Sequence, residues 1–229
     1  MKRVLTPEWL DELAAEEPAA VRSRRDLQRL NSLMGHIGTM SSVLAKAQGR
    51  GMRIVELGTG DGSFMLRLVQ SPVRCGVSGH VVLVDRRPCI SSATQIGFER
   101  IGWRMEVAAA DVFDWLPTAA PAHVMVANLF LHHFAPKELA RLLALAAEKC
   151  QLFVACEPRR GLAALTASRL LWVIGCNAVT RHDAIISVRA GFRDHELSNL
   201  WPAQGWNLRE ERAGLFSHLF EARKNEQRS

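Results

Sequence analysis

Short apolar runs along the chain alternate with stretches in which apolar residues recur every three or four positions. The first pattern suits buried strands and the second suits helices packed on them. Runs of the first kind are Arg53-Ile-Val-Glu-Leu57, His80 to Asp85, Met105 to Ala110, His123 to Asn128 and Leu152 to Glu157. Between them, Ser63 to Val69 carries helical spacing. Pro88 opens a helix with Ile90, Ala93, Phe98 and Ile101 on one face, and Pro136 opens another that runs to about Lys149. This alternation predicts an α/β domain whose sheet is parallel, doubly wound, and covered by helices on both faces.

The flanks read differently. Pro7 to Glu16 and Val21 to about Leu44 predict two helices ahead of the first strand, the second spaced by Leu27, Leu30, Leu33 or Met34, and Ile37, with Gly49-Arg-Gly51 as the hinge into the core. Residues 161–202 are longer than a crossover needs. They hold one helix that is apolar nearly all round (Leu162, Leu165, Leu170, Leu171, Trp172, Ile174) and a second near Asp194 to Trp201, an insert of the kind that covers a site. Two extended segments, about Trp206 to Arg212 and Phe216 to Lys224, are separated by Ala213-Gly214 and predict a closing hairpin, followed by a polar tail. The expected organisation is one domain: a helical cap over 1–50, a core over 51–160, a lid over 161–202 and the hairpin over 203–224.

Composition narrows the class. A chain of 229 residues, 48% hydrophobic and 23% charged, fits one domain with a substantial core. Its five cysteines, Cys75, Cys89, Cys150, Cys156 and Cys176, form no metal-ligand spacing and are odd in number, so reduced thiols and a cytoplasmic location are expected. No signal-peptide core and no membrane-spanning run is present; the nearest, Leu162 to Val179, contains Thr166, Ser168, Arg169 and Asn177. The net charge of +6 would admit a nucleic-acid partner, but the arginines are scattered. Arg22, Arg24, Arg25 and Arg29 cluster in the cap, as a solvated face or as a contact for an anionic group.

The chemistry gathers at the strand ends. Glu56-Leu-Gly58-Thr59-Gly60-Asp61-Gly62 is a tight turn between strand and helix, where backbone comes close to a ligand. A dinucleotide site wants its third glycine one residue later, where Ser63 stands, and the acids Glu56 and Asp61 suit a cation better than a pyrophosphate. Asp85 lies 23 residues beyond Gly62, near the spacing of an acid that holds ribose hydroxyls, although a capping role ahead of Pro88 remains open. Arg86 follows it. Asp111-Val112 ends the third strand, either as an adenine contact or as a simple turn.

Glu-x-Gly-x-Gly-x-Gly, with acids at the next two strand ends, closely resembles the class I S-adenosylmethionine-dependent methyltransferases, across about Arg53 to Glu157. The resemblance implies a Rossmann-like, seven-stranded sheet with a terminal antiparallel hairpin. It implies S-adenosyl-L-methionine as cofactor, held by Glu56, Gly58, Thr59, Gly60, Gly62, Asp85, Arg86, Asp111, Val112 and Asn128.

The fourth strand end, Asn128-Leu-Phe-Leu-His132-His133, ranks the acceptors. It lacks the proline pair of methyltransferases that act on base amines, and the chain has no Pro-Cys dipeptide for attack on cytosine. It is similar instead to small-molecule methyltransferases of the quinone and natural-product groups. Arg24 to Asn31 and Ser187-Val-Arg-Ala-Gly-Phe192 are similar to the polyketide kind. A phenolic oxygen is expected first and a ring carbon second. The alternatives are an RNA- or protein-directed enzyme or a non-catalytic binder.

Histidine is near-ideal as a base at neutral pH, so His132 and His133 are the catalytic candidates. Adjacent residues in regular structure cannot both face one pocket; His132 is expected to face the acceptor and His133 to pack, while either one serving only the fold is the competing reading. The chain has no tyrosine to act as a base. No metal-ligand spacing surrounds the region, so no metal is expected. Trp172, Phe192, Trp201 and the helix from Leu162 would line an aromatic pocket or else form plain core; His182-Asp183 and Arg189 are weaker contacts. A homodimer is compatible with this reading.

Overall fold

A computed structural model describes residues 1–45, 51–71 and 78–225. Five parallel strands, β1 (Met52–Leu57), β2 (Gly79–Asp85), β3 (Arg104–Ala109), β4 (Ala122–Asn128) and β5 (Cys150–Pro158), are joined by the antiparallel pair β6 (Trp206–Ala213) and β7 (Ser217–Lys224). The sheet order is β3-β2-β1-β4-β5-β7-β6. β1 therefore lies between β2 and β4, and the chain winds outward in both directions from that pair.

Because successive side chains point to opposite faces, the apolar strands feed two cores. Val55, Leu57, Val82, Val84, Met125, Ala127, Phe153 and Ala155 pack on one face. Ile54, Val81, Leu83, Val124, Val126, Leu152, Val154 and Cys156 pack on the other. The core helices are α4 (Ser63–Val69), α5 (Ser92–Arg100), α6 (Val112–Thr118) and α7 (Pro136–Lys149). Pro136 opens α7 as expected. α5 starts later than Pro88, because Ser91 caps it by accepting from the Thr94 N–H at 3.1 Å.

The flanks depart further from expectation. The first cap helix shrinks to α1 (Trp9–Glu12), and the second splits into α2 (Pro18–Leu33) and α3 (His36–Leu44). Gly35, with φ at +71°, makes the break. In the insert the apolar helix stops as α8 (Leu162–Arg169), and turns take the chain through 170–175. The second helix is α9 (Ala178–Ala190), capped by Asn177, whereas Asp194 to Trp201 forms turns held by Glu210, which accepts the Leu197 and Ser198 N–H groups. Gly49 and Arg50 of the expected hinge, Cys75 and the tail beyond Asn225 lie outside the described residues.

Candidate active site

Where a doubly wound sheet reverses its order, a crevice opens beyond the carboxyl ends of the strands. Here that point lies between β1 and β4. A cavity of about 250 Å³ fills it, walled by Glu56, Gly58, Thr59, Gly60, Asp61, Asp85, Arg87 and Asn128 from the sheet side and by Leu10, Leu27, Gln28 and Asn31 from the cap. Gly60 has φ at +54°, and a Cβ there would meet nothing within 4 Å, so bare backbone faces the cavity. Gly62 has a different duty: a Cβ would stand 2.9 Å from Ile90 and 3.0 Å from Leu83, so its absence lets the loop pack down.

Acids hold this loop. Asp85 Oδ2 accepts from the Gly60 N–H at 2.9 Å, and Oδ1 accepts from the Arg87 N–H at 2.8 Å. Asp61 accepts from the Ser63 N–H and O–H, and from Gln28 Nε2 at 2.5 Å, which ties α2 to the loop. Glu56 is only 2% exposed and accepts from the Thr59 hydroxyl at 2.6 Å. Burial, with Asp61 and Asp85 nearby, pushes its carboxyl up to about 8 against the opposing Thr59 bond. Asn128 is buried and bonded to His36 Nδ1 at 2.8 Å, and His36 Nε2 meets Ser217 Oγ at 2.6 Å, so one ring joins cap, β4 and hairpin. Burial holds His36 below its ordinary value, leaving that ring neutral.

A second cavity, of about 310 Å³, adjoins the first. Leu27 and Leu129 line both. Leu129 stands at φ +54°, an uncommon conformation for leucine, with its N–H donated to Cys156 O at 3.0 Å. The chamber walls are mostly apolar (Leu30, Leu33, Leu171, Ile174, Val188, Phe216), and Glu8, His132, Ser168 and Ser187 are its polar residues. After β4 the chain makes a 3-10 turn, Leu131–His133. Glu157, at the end of β5 and fully buried, anchors that turn by accepting the Phe130 and Leu131 N–H groups at 2.9 and 2.8 Å.

Glu157 Oε2 also meets His132 Nδ1 at 2.7 Å, and Glu8 Oε1 lies 3.3 Å from His132 Nε2. Burial alone would lower the histidine, but the bonds to Glu157 and Glu8 and their charges outweigh it and raise the ring to about 9. Burial opposes ionisation of Glu8, yet its bond to His132 and the accompanying charges hold it down to about 2. The imidazolium thus sits between two carboxylates, each able to accept one ring proton. His133 does not line the chamber; it is exposed, 3.7 Å from Asp11, with its ring tilted against His132 at 4.2 Å.

Several expected contacts stand elsewhere. Arg86 is exposed and 4.0 Å from Asp111, which caps α6 by accepting the Phe113 N–H at 2.8 Å; Arg86, Asp111 and Val112 do not wall the crevice, while Arg87 does. Trp172 is exposed, and Phe192 and Trp201 are core, so none lines the chamber. Asp183 accepts the Trp9 and Leu10 N–H groups, and His182 stacks on Trp9 at 3.7 Å, so this pair fastens the N-terminal segment. Arg189 is exposed, and its carbonyl accepts the Val4 N–H. Glu157 carried the same signal as Glu56, an acid closing an apolar strand. Glu8 carried none, because only folding brings residue 8 beside residue 132. Among the described residues, Glu8, His132 and His133 hold their potential ligand atoms within 4.8 Å of one another, a set that could hold a metal ion.

No family model matches the chain, and no curated protein does. Solved structures do. The plantazolicin methyltransferase BpumL in complex with SAH aligns over 92% of this chain and 92% of its own, at 9% identity and a TM-score of 0.66. The chain has the fold of the S-adenosylmethionine-dependent methyltransferases. Magnesium protoporphyrin IX methyltransferase (ChlM) from Synechocystis PCC 6803 with bound SAH aligns over 94% of this chain and 91% of its own, at 12% identity and 0.58. The pyocyanin biosynthetic protein PhzM aligns over 95% of this chain and 62% of its own, at 16% identity and 0.61. The fold's antiparallel β6–β7 ending is the hairpin that the sequence pattern predicted.

Proposed function

We propose that this chain is an S-adenosylmethionine-dependent methyltransferase acting on a small, largely apolar molecule, with a phenolic hydroxyl as the first-choice acceptor and a ring carbon as the second. The observation that carries this reading is the pair of adjoining cavities: an acid-walled crevice at the glycine loop, and an apolar chamber that shares Leu27 and Leu129 with it and has His132 as a polar wall. SAM and SAH are bound in solved structures with this fold. The crevice fits such a ligand. Backbone at Gly60 is open to it, Asp61 and Asp85, with Glu56 as an acid able to ionise against it, complement a cation, and Asn31 Oδ1 is buried without a hydrogen-bond partner.

Glu56, Asp61 and Asp85 with the glycine loop would hold the cofactor, and Thr59 and Asn128 would border it. When bound, S-adenosylmethionine supplies an electrophilic methyl carried on a sulfonium. The chain's own contribution is alignment and exclusion of water. Holding acceptor and methyl in line can supply roughly 7–11 kcal/mol. The apolar walls keep the chamber dry and orient the acceptor by shape.

His132 handles the proton. Once the ring has lost its Nε2 proton, an acceptor hydroxyl that replaces Glu8 there passes its own proton to that nitrogen, and Glu157 holds the Nδ1–H side, fixing the tautomer and stabilising the imidazolium that re-forms. His133 backs the turn. Both nitrogens of His132 are already paired with carboxylates, so the reading uses no metal, and turnover is expected to survive exhaustive chelation.

The test has two parts. Calorimetry with S-adenosylhomocysteine should show binding that Asp85→Ala weakens. Phenols, hydroxyquinones and acyl resorcinols should then be screened for methyl uptake. His132→Ala should lower turnover about 10²–10⁴-fold while leaving cofactor affinity intact. Unchanged turnover in both His132→Ala and His133→Ala would remove the base and leave the binding proposal standing.

A further inference from the structure

The turns at 170–175 present an apolar surface that the fold leaves uncovered. Leu170, Trp172 and Val173 are 52%, 60% and 63% exposed, and Leu33, at the end of α2, is 72% exposed. This surface is continuous with the chamber mouth, because Leu33, Leu171 and Ile174 are chamber walls as well. It is also rimmed by positive charge. Arg22 donates to Gly175 O at 3.3 Å and Arg29 to Ile174 O at 3.0 Å, both in exposed positions. Residues 22, 29 and 33 share one face of α2 at helical spacing, so the arginines and Leu33 stand together. Arg181, also exposed, stands near them around Cys176, and Asp26, 3.3 Å from Arg29, is the acid among these arginines.

We infer that this surface docks on an anionic lipid bilayer, with Leu170, Trp172 and Val173 entering the headgroup boundary and the arginines meeting lipid phosphates. Exposed leucine, valine and tryptophan beside arginines form an interfacial pattern, in which apolar burial and attraction to anionic lipid add. Among the described residues no helix is long and apolar enough to cross a membrane, and the proposed contact is a peripheral one. A second copy of the chain suits the surface less well, because a two-fold contact would set one arginine rim against another. The consequence for substrate rests on the proposed function: the acceptor is lipophilic and enters the chamber from the bilayer, past Leu33 and Ile174. The docking itself does not depend on catalysis.

The experiment is sedimentation of the full chain with vesicles of phosphatidylcholine and phosphatidylglycerol, and with phosphatidylcholine alone. Binding to the anionic vesicles is expected, weakened by salt and by Arg22→Gln with Arg181→Gln. Leu170→Ser, Trp172→Ser and Val173→Ser together should weaken partition about tenfold or more. Brominated lipid should quench tryptophan fluorescence, less so in Trp172→Phe. S-adenosylhomocysteine binding and turnover of a water-soluble phenol should persist in these variants, so failure of docking and failure of the enzyme reading give different results. Any of three outcomes overturns the inference: protein left in the supernatant with both vesicle types, partition unchanged in the triple variant, or light scattering showing a dimer that the triple variant dissociates.

Discussion

Glu56 and His132 are both buried titratable groups, and their surroundings move them in ways that matter. Glu56, pushed up to about 8, is largely protonated at neutral pH and ionises once a cation lies against it. Binding of S-adenosylmethionine should therefore release close to one proton at pH 7. Affinity should rise with pH and level off above about 8, which calorimetry in buffers of different ionisation enthalpy reads directly. In Glu56→Gln the proton release should vanish. His132, raised from 6.5 to about 9, adds stability that is fully present below 6.5 and lost as pH climbs through about 9. Glu8, lowered from 4.5 to about 2, adds stability above 4.5 that is lost as pH falls through about 2. As a base, His132 works only when deprotonated, so kcat/KM should rise with pH toward about 9. Glu8→Gln removes one of the carboxylates that raise the ring and should move that limb to lower pH. A limb that stays in place would mean that Glu8 does not act on the reacting proton.

At the scale of elements, the N-terminal segment is the part that brings remote groups to the chamber. Arg3 donates from Nε to Ala190 O at 2.7 Å and from Nη2 to His132 O and Phe134 O at 3.1 and 3.0 Å, and its guanidinium lies over the Phe192 ring. Three carbonyls on α9 and the 3-10 turn thus share one cation, and the segment that holds it also positions Glu8. Arg3→Met should cost about 1–3 kcal/mol in urea unfolding and should raise KM more than it lowers kcat, since it loosens the chamber wall without touching the reacting atoms. The glycine loop makes a sharper test. Gly62→Ala adds a Cβ at φ +70° against Ile90 and Leu83 and should cost about 1–3 kcal/mol. Gly60→Ala meets no neighbour and should instead act mainly on cofactor affinity, apart from the strain of φ +54°. α9 escaped the sequence pattern because its polar residues, Arg181, His182, Asp183 and Arg189, interrupt the apolar spacing, and they do so because several serve the N-terminal segment. The turns at Asp194 to Trp201 imitate helical spacing with Leu197, Leu200 and Trp201, which pack without a helix.

For the molecule as a whole, the sheet order dictates where chemistry can occur. The reversal between β1 and β4 puts Glu56, the glycine loop and Asn128 around one crevice, and β5 beside β4 puts Glu157 under His132. The sequence by itself determined the alternation of strands and helices, the glycine loop and the acids at strand ends, and the closing hairpin. These follow from local periodicity and from backbone needs that neighbouring residues express. Only the tertiary structure decided that Glu8 and Glu157 bracket His132, that His36 spans Asn128 and Ser217, and that Trp172 faces outward rather than into the chamber. Such pairings join residues separated by up to 181 positions in the chain, and no local pattern records a contact that exists only once the cap, the insert and the sheet have closed on one another.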